Sequence, residues 1–316
     1  MRKILAILLA LVLTLGCASA FAELTFTTGG TSGTYYAFGN VLAQFITNNS
    51  DVAVTAVAGN GSADNIDKLD LGAAQLGFVQ NDVAYYAYNG IRFDQYIGMP
   101  VTSFTALCAL YNETVQLITC NPDIKSVEDL RGKNVSIGSS GSGVYFNAMD
   151  FFAAYGMTEA DIVPQYLSFG DSAEALKDGK IDAAFIVAGA PTPAITELCT
   201  TNNAYLVPID GDVSAKLIET CPFYTVYAMP AGTYPGQTSE VKTVTVKATL
   251  IVSAKADETQ VYNLTKAIFD NMSDIAKENG KGSELSIANA TSGMTVPFHA
   301  GAAKYFAEQG FTVPTA

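Results

Sequence analysis

The chain has 316 residues, 49% of them apolar and 15% charged, ample material for packed cores and unlike a disordered segment or a small disulfide scaffold. Thirty acidic side chains against seventeen basic ones leave a net charge of −13, the wrong sign for tracking a phosphate backbone or an anionic lipid surface, so nucleic acid is not an expected partner. Mean hydropathy is +0.23, yet past residue 22 no 18-residue apolar run could span a bilayer.

The amino terminus reads as an export signal over residues 1–22. Arg2 and Lys3 supply the charged start, residues 4–15 the apolar stretch, and Ala20-Phe21-Ala22 the small-x-small cleavage site, which would leave Glu23 first. Leu15-Gly16-Cys17 offers a rival reading, a lipid anchor on Cys17, although Thr14 stands where such signals usually carry an aliphatic residue. Simple cleavage is preferred; it removes two basic groups and no acid, so the exported chain becomes more acidic still.

Beyond the leader, short β-branched runs alternate with 3.6-period amphipathic segments. Residues 24–27, 52–57, 76–79, 104–110, 115–120, 135–138, 164–167, 183–187, 204–208 and 244–253 read as strands. Between them Phe38, Val41, Leu42 and Phe45 mark one helix face, Phe146, Met149 and Phe152 another, and Leu264, Ile268, Met272 and Ile275 a third. Ser62, Ser126 and Asp171 open cap-like stretches, and Gly132 and Gly179 sit where helices should end. The class is α/β with largely parallel sheets. No proline- or glycine-rich linker divides the chain, so two domains would have to be joined by strands that cross between them.

Two glycine-rich turns each follow a strand and precede a helix: residues 28–36 (TGGTSGTYY) and 138–145 (GSSGSGVY). Glycines let backbone N–H groups crowd toward a ligand, and a helix start leaves four of them unpaired beside the positive end of the dipole. Each turn is therefore a seat for an anion, furnished with neutral hydroxyl donors. Neither has the lysine of a phosphate loop or the spacing of a dinucleotide fingerprint, so nucleotides are discounted. Ordinary strand-to-helix turns are the plain alternative, but two in one chain suggest one per lobe across a shared cleft. Gln80, Asn81 and Asp82 end an apolar strand, where ligands gather in open α/β sheets; they could read an ammonium or hydroxyl group, or simply cap the next helix.

Catalytic and metal chemistry find little support. His299 is the only histidine, at an apparent helix start, and no serine stands in a GxSxG elbow. Without a CxxC pair no metal site is expected. Four cysteines follow the leader, Cys108, Cys120, Cys199 and Cys221; in an oxidising compartment the local pairs 108 with 120 and 199 with 221 are the least costly of three connectivities, and buried free thiols are the other reading. No cofactor is expected.

Taken together, residues 24–46 (LTFTTGGTSGTYYAFGNVLAQFI), 61–90, 126–162, 167–198 and 296–310 (VPFHAGAAKYFAEQG) resemble, in the same order, the TAXI solute-binding proteins of TRAP (tripartite ATP-independent periplasmic) transporters. Ser139-Ser140 replaces a common Ala-Pro, and 233–242 is less recognisable. The resemblance implies a type II periplasmic binding fold, with lobe I from 23–114 plus 226–316, lobe II from 115–225, and crossings near 110–118 and 224–230. It implies a monomeric, periplasmic, non-enzymatic subunit that captures a small carboxylate or amino acid, such as glutamate, glutamine or a 2-oxoglutarate-like acid, and hands it to a membrane permease. Carried over position by position, the site would comprise Gly30, Thr31, Ser32, Thr34 and Tyr35, with Asn65, Gln80, Asn81 and Asp82. The second lobe would add Ser139, Ser140, Ser142, Gly143, Gly189 and Pro191. Arg92 and Arg131 lie in turns, so no bidentate arginine clamp is expected. A signalling receptor module, an exported hydrolase and a surface adhesin are the competing functions.

Overall fold

The computed structural model describes residues 23–316; the expected leader, its cleavage site and the rival anchor at Cys17 lie outside them. In chain order the first stretch gives β1 (Leu24–Thr27), α1 (Thr34–Asn49), β2 (Val54–Val57), α2 (Ser62–Asp70), β3 (Leu76–Gln80), α3 (Asn81–Asn89) and β4 (Phe104–Thr119). The second gives β5 (Asn134–Ser136), α4 (Gly143–Ala154), β6 (Val163–Gln165), α5 (Phe169–Lys177), β7 (Ala183–Ala188), α6 (Pro193–Thr201), β8 (Tyr205–Val207), α7 (Gly211–Thr220) and β9 (Thr225–Met229). The chain returns through β10 (Val241–Ser253) to α8 (Glu258–Phe269), α9 (Met272–Glu278), α10 (Ile287–Ala290) and α11 (Ala300–Glu308).

One ten-stranded sheet runs through the molecule in the order β2-β1-β3-β10-β4-β7-β5-β6, with β8 beside β4 and β9 beside β10. Its wings are parallel, as expected, but its middle is not: β10 lies antiparallel to β3, β4 and β9, and β4 antiparallel to β7 and β8. The wings repeat one plan, since β1 in the first and β5 in the second each lie between two parallel neighbours. Helices of the αβ units cover both wings, so parallel strands such as β3 and β7 are buried throughout and carry unbroken apolar runs.

The sequence suggests two strands, 104–110 and 115–120, where the structure has one of sixteen residues. The polar stretch Asn112-Glu113-Thr114 that separates the two apolar runs is where β4 leaves one lobe for the other. The core divides at the same place: Tyr111 packs in the first apolar cluster, with Phe26, Phe38 and Phe78, while Val115 packs in the second, with Phe151 and Phe185. On β10 the division falls between Val246 and Ala248. Residues 226–246 therefore pack with the second lobe, through Met229, Tyr234, Val244 and Val246, and the return crossing is β10 rather than 224–230. The difference arises because β9 folds back as an antiparallel partner of β10 before the chain crosses.

The cysteines do not form the expected local pairs; all four are free. Cys108 lies in β4 and Cys120 just beyond its end, so an extended strand holds them roughly 40 Å apart, where a disulfide needs Cα atoms within about 7 Å. Cys199 packs at the edge of one apolar cluster of the second lobe, and Cys221 lies inside another.

His299 is the N-cap of α11. Its Nδ1 accepts from the Gly301 N–H at 3.2 Å, which puts the ring proton on Nε2, 3.2 Å from the Ala256 carbonyl. Burial lowers its pKa and so favours this neutral form. His299 thus serves as a structural cap at the helix start where the sequence places it, and the same turn packs α11 onto α8: a Cβ on Gly301 would meet the Glu258 carbonyl oxygen at 2.2 Å and the Tyr262 nitrogen at 2.8 Å. Because both obstacles are backbone, Gly301→Ala should cost about 2 kcal/mol through forced separation of the helices, read as a lower urea midpoint at unchanged slope.

Candidate functional site

The two glycine turns leave β1 and β5 at matching places in the two wings and open α1 and α4 toward the gap between the lobes. Gly33 occupies the N-cap of α1 and brings no side chain, so the first N–H groups of that helix have no side-chain acceptor. Ser142 occupies the N-cap of α4, but its hydroxyl makes no capping bond and is buried without a partner. A third helix start is already filled across the gap: the Ala63 and Asp64 N–H groups, in the first turn of α2, both donate to the Gly141 carbonyl at 3.0 Å. The lobes therefore stand closed on one another.

Between them lies a cavity of about 80 Å³. Of the expected residues, Gly30, Thr34, Tyr35 and Gln80 line it from the first lobe and Ser139, Ser142 and Gly143 from the second. Ser62, Asn60, Ser168, Phe169 and Glu113 also line it and were not anticipated. Among the described residues no lysine or arginine does, so any anion held there is met by N–H and O–H dipoles.

The remaining expected residues are engaged elsewhere. Asn65 is fully buried, but its Nδ2 donates to the Thr28 and Phe78 carbonyls at 2.8 Å and its Oδ1 accepts from Thr27 Oγ1 at 2.7 Å. It is a strut that ties β1 to β3 beneath the loop. Asn81 Nδ2 donates to the Gly293 carbonyl at 3.1 Å and its Oδ1 accepts from the Lys247 N–H at 3.0 Å, so it fastens α3 to β10. Thr31, Ser140 and Pro191 are exposed, and Ser32 lines a separate recess against α5 and α6. Gly189 touches the site only indirectly, its carbonyl accepting from Thr34 Oγ1 at 2.9 Å across the lobes.

Asp82 belongs to a buried network that joins the lobes behind the cavity. Asn147 on α4 donates to Asp82 Oδ2 at 2.8 Å and to the Tyr224 hydroxyl at 2.7 Å, and its Oδ1 accepts from Gln80 Nε2 at 3.0 Å. Tyr224 in turn donates to Asp150 Oδ2 at 3.2 Å, and Asp150 pairs with Arg92, whose backbone takes the left-handed φ of 77°. That conformation is unfavourable for a side-chain-bearing residue, and it carries the guanidinium that pairs with a fully buried carboxylate. Burial, with the Asp150 charge nearby, pushes the Asp82 carboxyl up to about 7.

Among the described residues Glu113 is the one carboxylate in the cavity wall. It is 2% exposed, its Oε1 has no hydrogen-bond partner, and burial pushes its carboxyl up to about 8, against the pull of the Tyr111 hydroxyl and the Lys281 ammonium. The signal that would have exposed it is simple: it is the only charged residue in the sixteen of β4. Tyr35 completes the wall, its ring stacked on Phe78 at 4.5 Å and its hydroxyl buried without a partner.

Closure is tightest at Gly143, where a Cβ would come within 1.8 Å of Gln80 Oε1 and 2.8 Å of Ser62 Oγ. Gly143→Ala should therefore hold the lobes apart and weaken solute binding at least tenfold, a loss of about 1.4 kcal/mol, while each lobe stays folded; titration calorimetry beside far-ultraviolet circular dichroism reads both.

The comparisons agree with this architecture. A protein from Bordetella bronchiseptica is 15% identical, covering 90% of this chain and 89% of its own at a TM-score of 0.56. A binding protein component of an ABC phosphonate transporter from Pseudomonas aeruginosa is 11% identical over 82% of this chain and 78% of its own, at 0.53. An arginine-specific periplasmic binding protein from Salmonella typhimurium is 13% identical over 82% and 98%, at 0.50. At such identities the likeness speaks for the fold, two α/β lobes closing on a cleft in the manner of type II periplasmic binding proteins. Residues 26–310 match the NMT1-like family, and with nearly the whole described chain inside that match the protein belongs to it.

Proposed function

We propose that the protein is the extracytoplasmic solute-binding subunit of a TRAP-type secondary transporter of the TAXI kind. It captures a small carboxylate or amino acid, of the glutamate, glutamine or 2-oxoglutarate class, and delivers it to the membrane permease. The observation that carries this reading is the closed cavity itself, walled by both lobes and faced by two helix starts without side-chain caps. Anions favour such helix starts, and no cationic side chain competes for the role. Binding proteins among the structural neighbours, and the absence among the described residues of any helix long and apolar enough to cross a membrane, support an exported component that works beside a separate permease. A hydrolase that depends on His299 loses its general base, because both ring nitrogens are engaged at the cap of α11.

The mechanism follows from the contacts. In an open state Gly141 would not cap α2, Thr34 would not reach Gly189, and Gln80 would not reach Asn147. A solute that touches both helix starts favours the closed state through contacts the open one lacks, which is the condition for a ligand to shift the equilibrium. Uptake reconstituted with the cognate permease should stop when the ion gradient is collapsed and continue without ATP; ATP dependence would reject the TRAP assignment.

Two outcomes are expected in solution. Scattering from solute-stripped protein should show a radius of gyration that falls on adding the bound solute, and an unchanged radius would remove closure from the mechanism. Ser142→Ala should weaken binding by about 1 kcal/mol, the worth of one neutral hydrogen bond from its unpartnered hydroxyl; calorimetry showing full affinity would take Ser142 out of the site.

A further inference from the structure

We propose that closing the lobes binds a proton at Asp82, so that acid favours the closed form and a held solute is released more readily as pH rises. This rests on the reading of the two lobes as a cleft that opens and closes, and adds to that reading a second ligand of the closed state.

Two carboxyl groups lie in the buried network between the lobes, and their surroundings differ. Asp150 is answered on both oxygens: Oδ1 accepts from Arg92 Nε at 3.0 Å and from a second guanidinium nitrogen, and Oδ2 accepts from the Tyr224 and Tyr86 hydroxyls at 3.2 and 3.5 Å. Asp82 is answered by one neutral side chain across the gap. Asn147 Nδ2 reaches its Oδ2 at 2.8 Å, its Oδ1 has no partner, and the group is fully buried. Among the described residues of this network Arg92 is the one cation, and Asp150 takes it. Two carboxylates on one guanidinium would leave an uncompensated charge in a site closed to water, which is strongly unfavourable. The closed arrangement is balanced when Asp82 is a neutral acid. Its surroundings also come apart when the lobes do: Asp82 is in the first turn of α3, in the first lobe, while Asn147 and Asp150 on α4 and Tyr224 beyond it belong to the second. Parting the lobes withdraws those groups and admits water, and the start of α3 then favours the charged form. The carboxyl therefore gives up its proton on opening and recovers it on closing.

The groups that face Asp82 are Asp150 and Tyr224 from the second lobe, Tyr86 on its own helix, Tyr35 on α1 and Glu113 on β4, with Arg92 and Cys221 beside Asp150. In the closed form burial, and after it the Asp150 charge, outweigh the Val83 N–H and the Asn147 amide and bring the Asp82 carboxyl to about 7. With the lobes apart it returns toward the ordinary carboxylate range. Between that range and about 7 the closed form binds more protons than the open one, so its advantage is greatest in acid and is lost as pH rises through about 7. Glu113, buried in the cavity wall with its carboxyl at about 8, adds a dependence of the same sign, so the share of Asp82 is read by difference.

A cross-link reads closure without any solute. A Cβ on Gly170, in the first turn of α5, would lie 3.7 Å from Ser32 Cβ across the lobes, inside the range of about 3.5 to 4.5 Å that a disulfide spans, and neither residue lines the cavity. Ser32→Cys with Gly170→Cys is placed in the exported chain, residues 23–316, unfolded and refolded to strip carried-over solute. The pair is brought to equilibrium in a glutathione redox buffer over a range of pH, with and without Asp82→Asn, and the ratio of linked to unlinked protein reports how readily the lobes close. Between about pH 6 and 8 the linking constant should fall about tenfold more with Asp82 present than with Asp82→Asn, and the radius of gyration should grow when the link is reduced. An equal pH dependence in the two proteins overturns the proton site and leaves closure intact. A radius unchanged on reduction overturns the opening of the lobes and this inference with it. Should Asp82→Asn not fold, carboxyl-carbon NMR of the aspartate-labelled, cross-linked protein decides: one aspartate should titrate at about 7 and move to lower pH when the link is reduced, and the absence of such a resonance overturns the proposal.

Discussion

Two antiparallel strands pass through both lobes, and the cleft exists because of them. β4 and β10 are hydrogen-bonded along most of their length, so the lobes share one sheet and have no flexible linker. Strands that cross a gap between two cores cannot be apolar throughout, since neither core covers the middle. At that middle β4 carries Glu113, paired across to Val246 at the point where the apolar clusters change over. A carboxylate buried there without a partner is unfavourable for folding, because removal from water disfavours its charged form. That cost falls in the wall of the cavity.

The remainder of the site is arranged around these crossing strands. Parallel wings bring β1 and β5 to equivalent places, their following helices start at the gap, and the glycines at those starts keep backbone donors bare. The lobes then meet through polar contacts that are specific and few: Thr34 to Gly189, Gln80 to Asn147, and the first turn of α2 to Gly141. Behind them the chain of Asp82, Asn147, Tyr224, Asp150 and Arg92 is buried, with an aromatic contact between Phe93 and Phe146 at 4.4 Å beside it. Such a network is exact about geometry and contributes little net stability, because breaking it returns each group to water. That suits an interface that must open.

Particular residues show how far the sequence could be read. Gly30, Thr34, Tyr35, Gln80, Ser139, Ser142 and Gly143 were legible because turn chemistry is local: strand, glycines and helix start are contiguous in the chain. Asn65 and Asn81 read equally as ligand-binding amides or as local structural groups; only the long-range carbonyls of Phe78 and Gly293 show that their donors are used within the protein. Glu113 was missed for the opposite reason. A charged residue between two apolar runs looks like the end of a strand, and nothing local says that the strand continues into a second core. The expected pairing of Cys108 with Cys120 turns on the same point, since the two are neighbours in space only if the chain turns between them, and β4 runs straight on.

The amino-acid sequence by itself determined the α/β class, the strand-helix alternation, the two glycine turns and the cap at His299, all of which depend on backbone preferences and periodicities within a few residues. Tertiary structure alone decided where the lobes divide, which polar side chains are consumed as struts and which face the cavity, and that a lone glutamate lies in its wall. Those outcomes depend on which hydrogen-bonding atoms find partners dozens or hundreds of residues away, and a buried group's chemistry is set by the partners it lacks as much as by those it has.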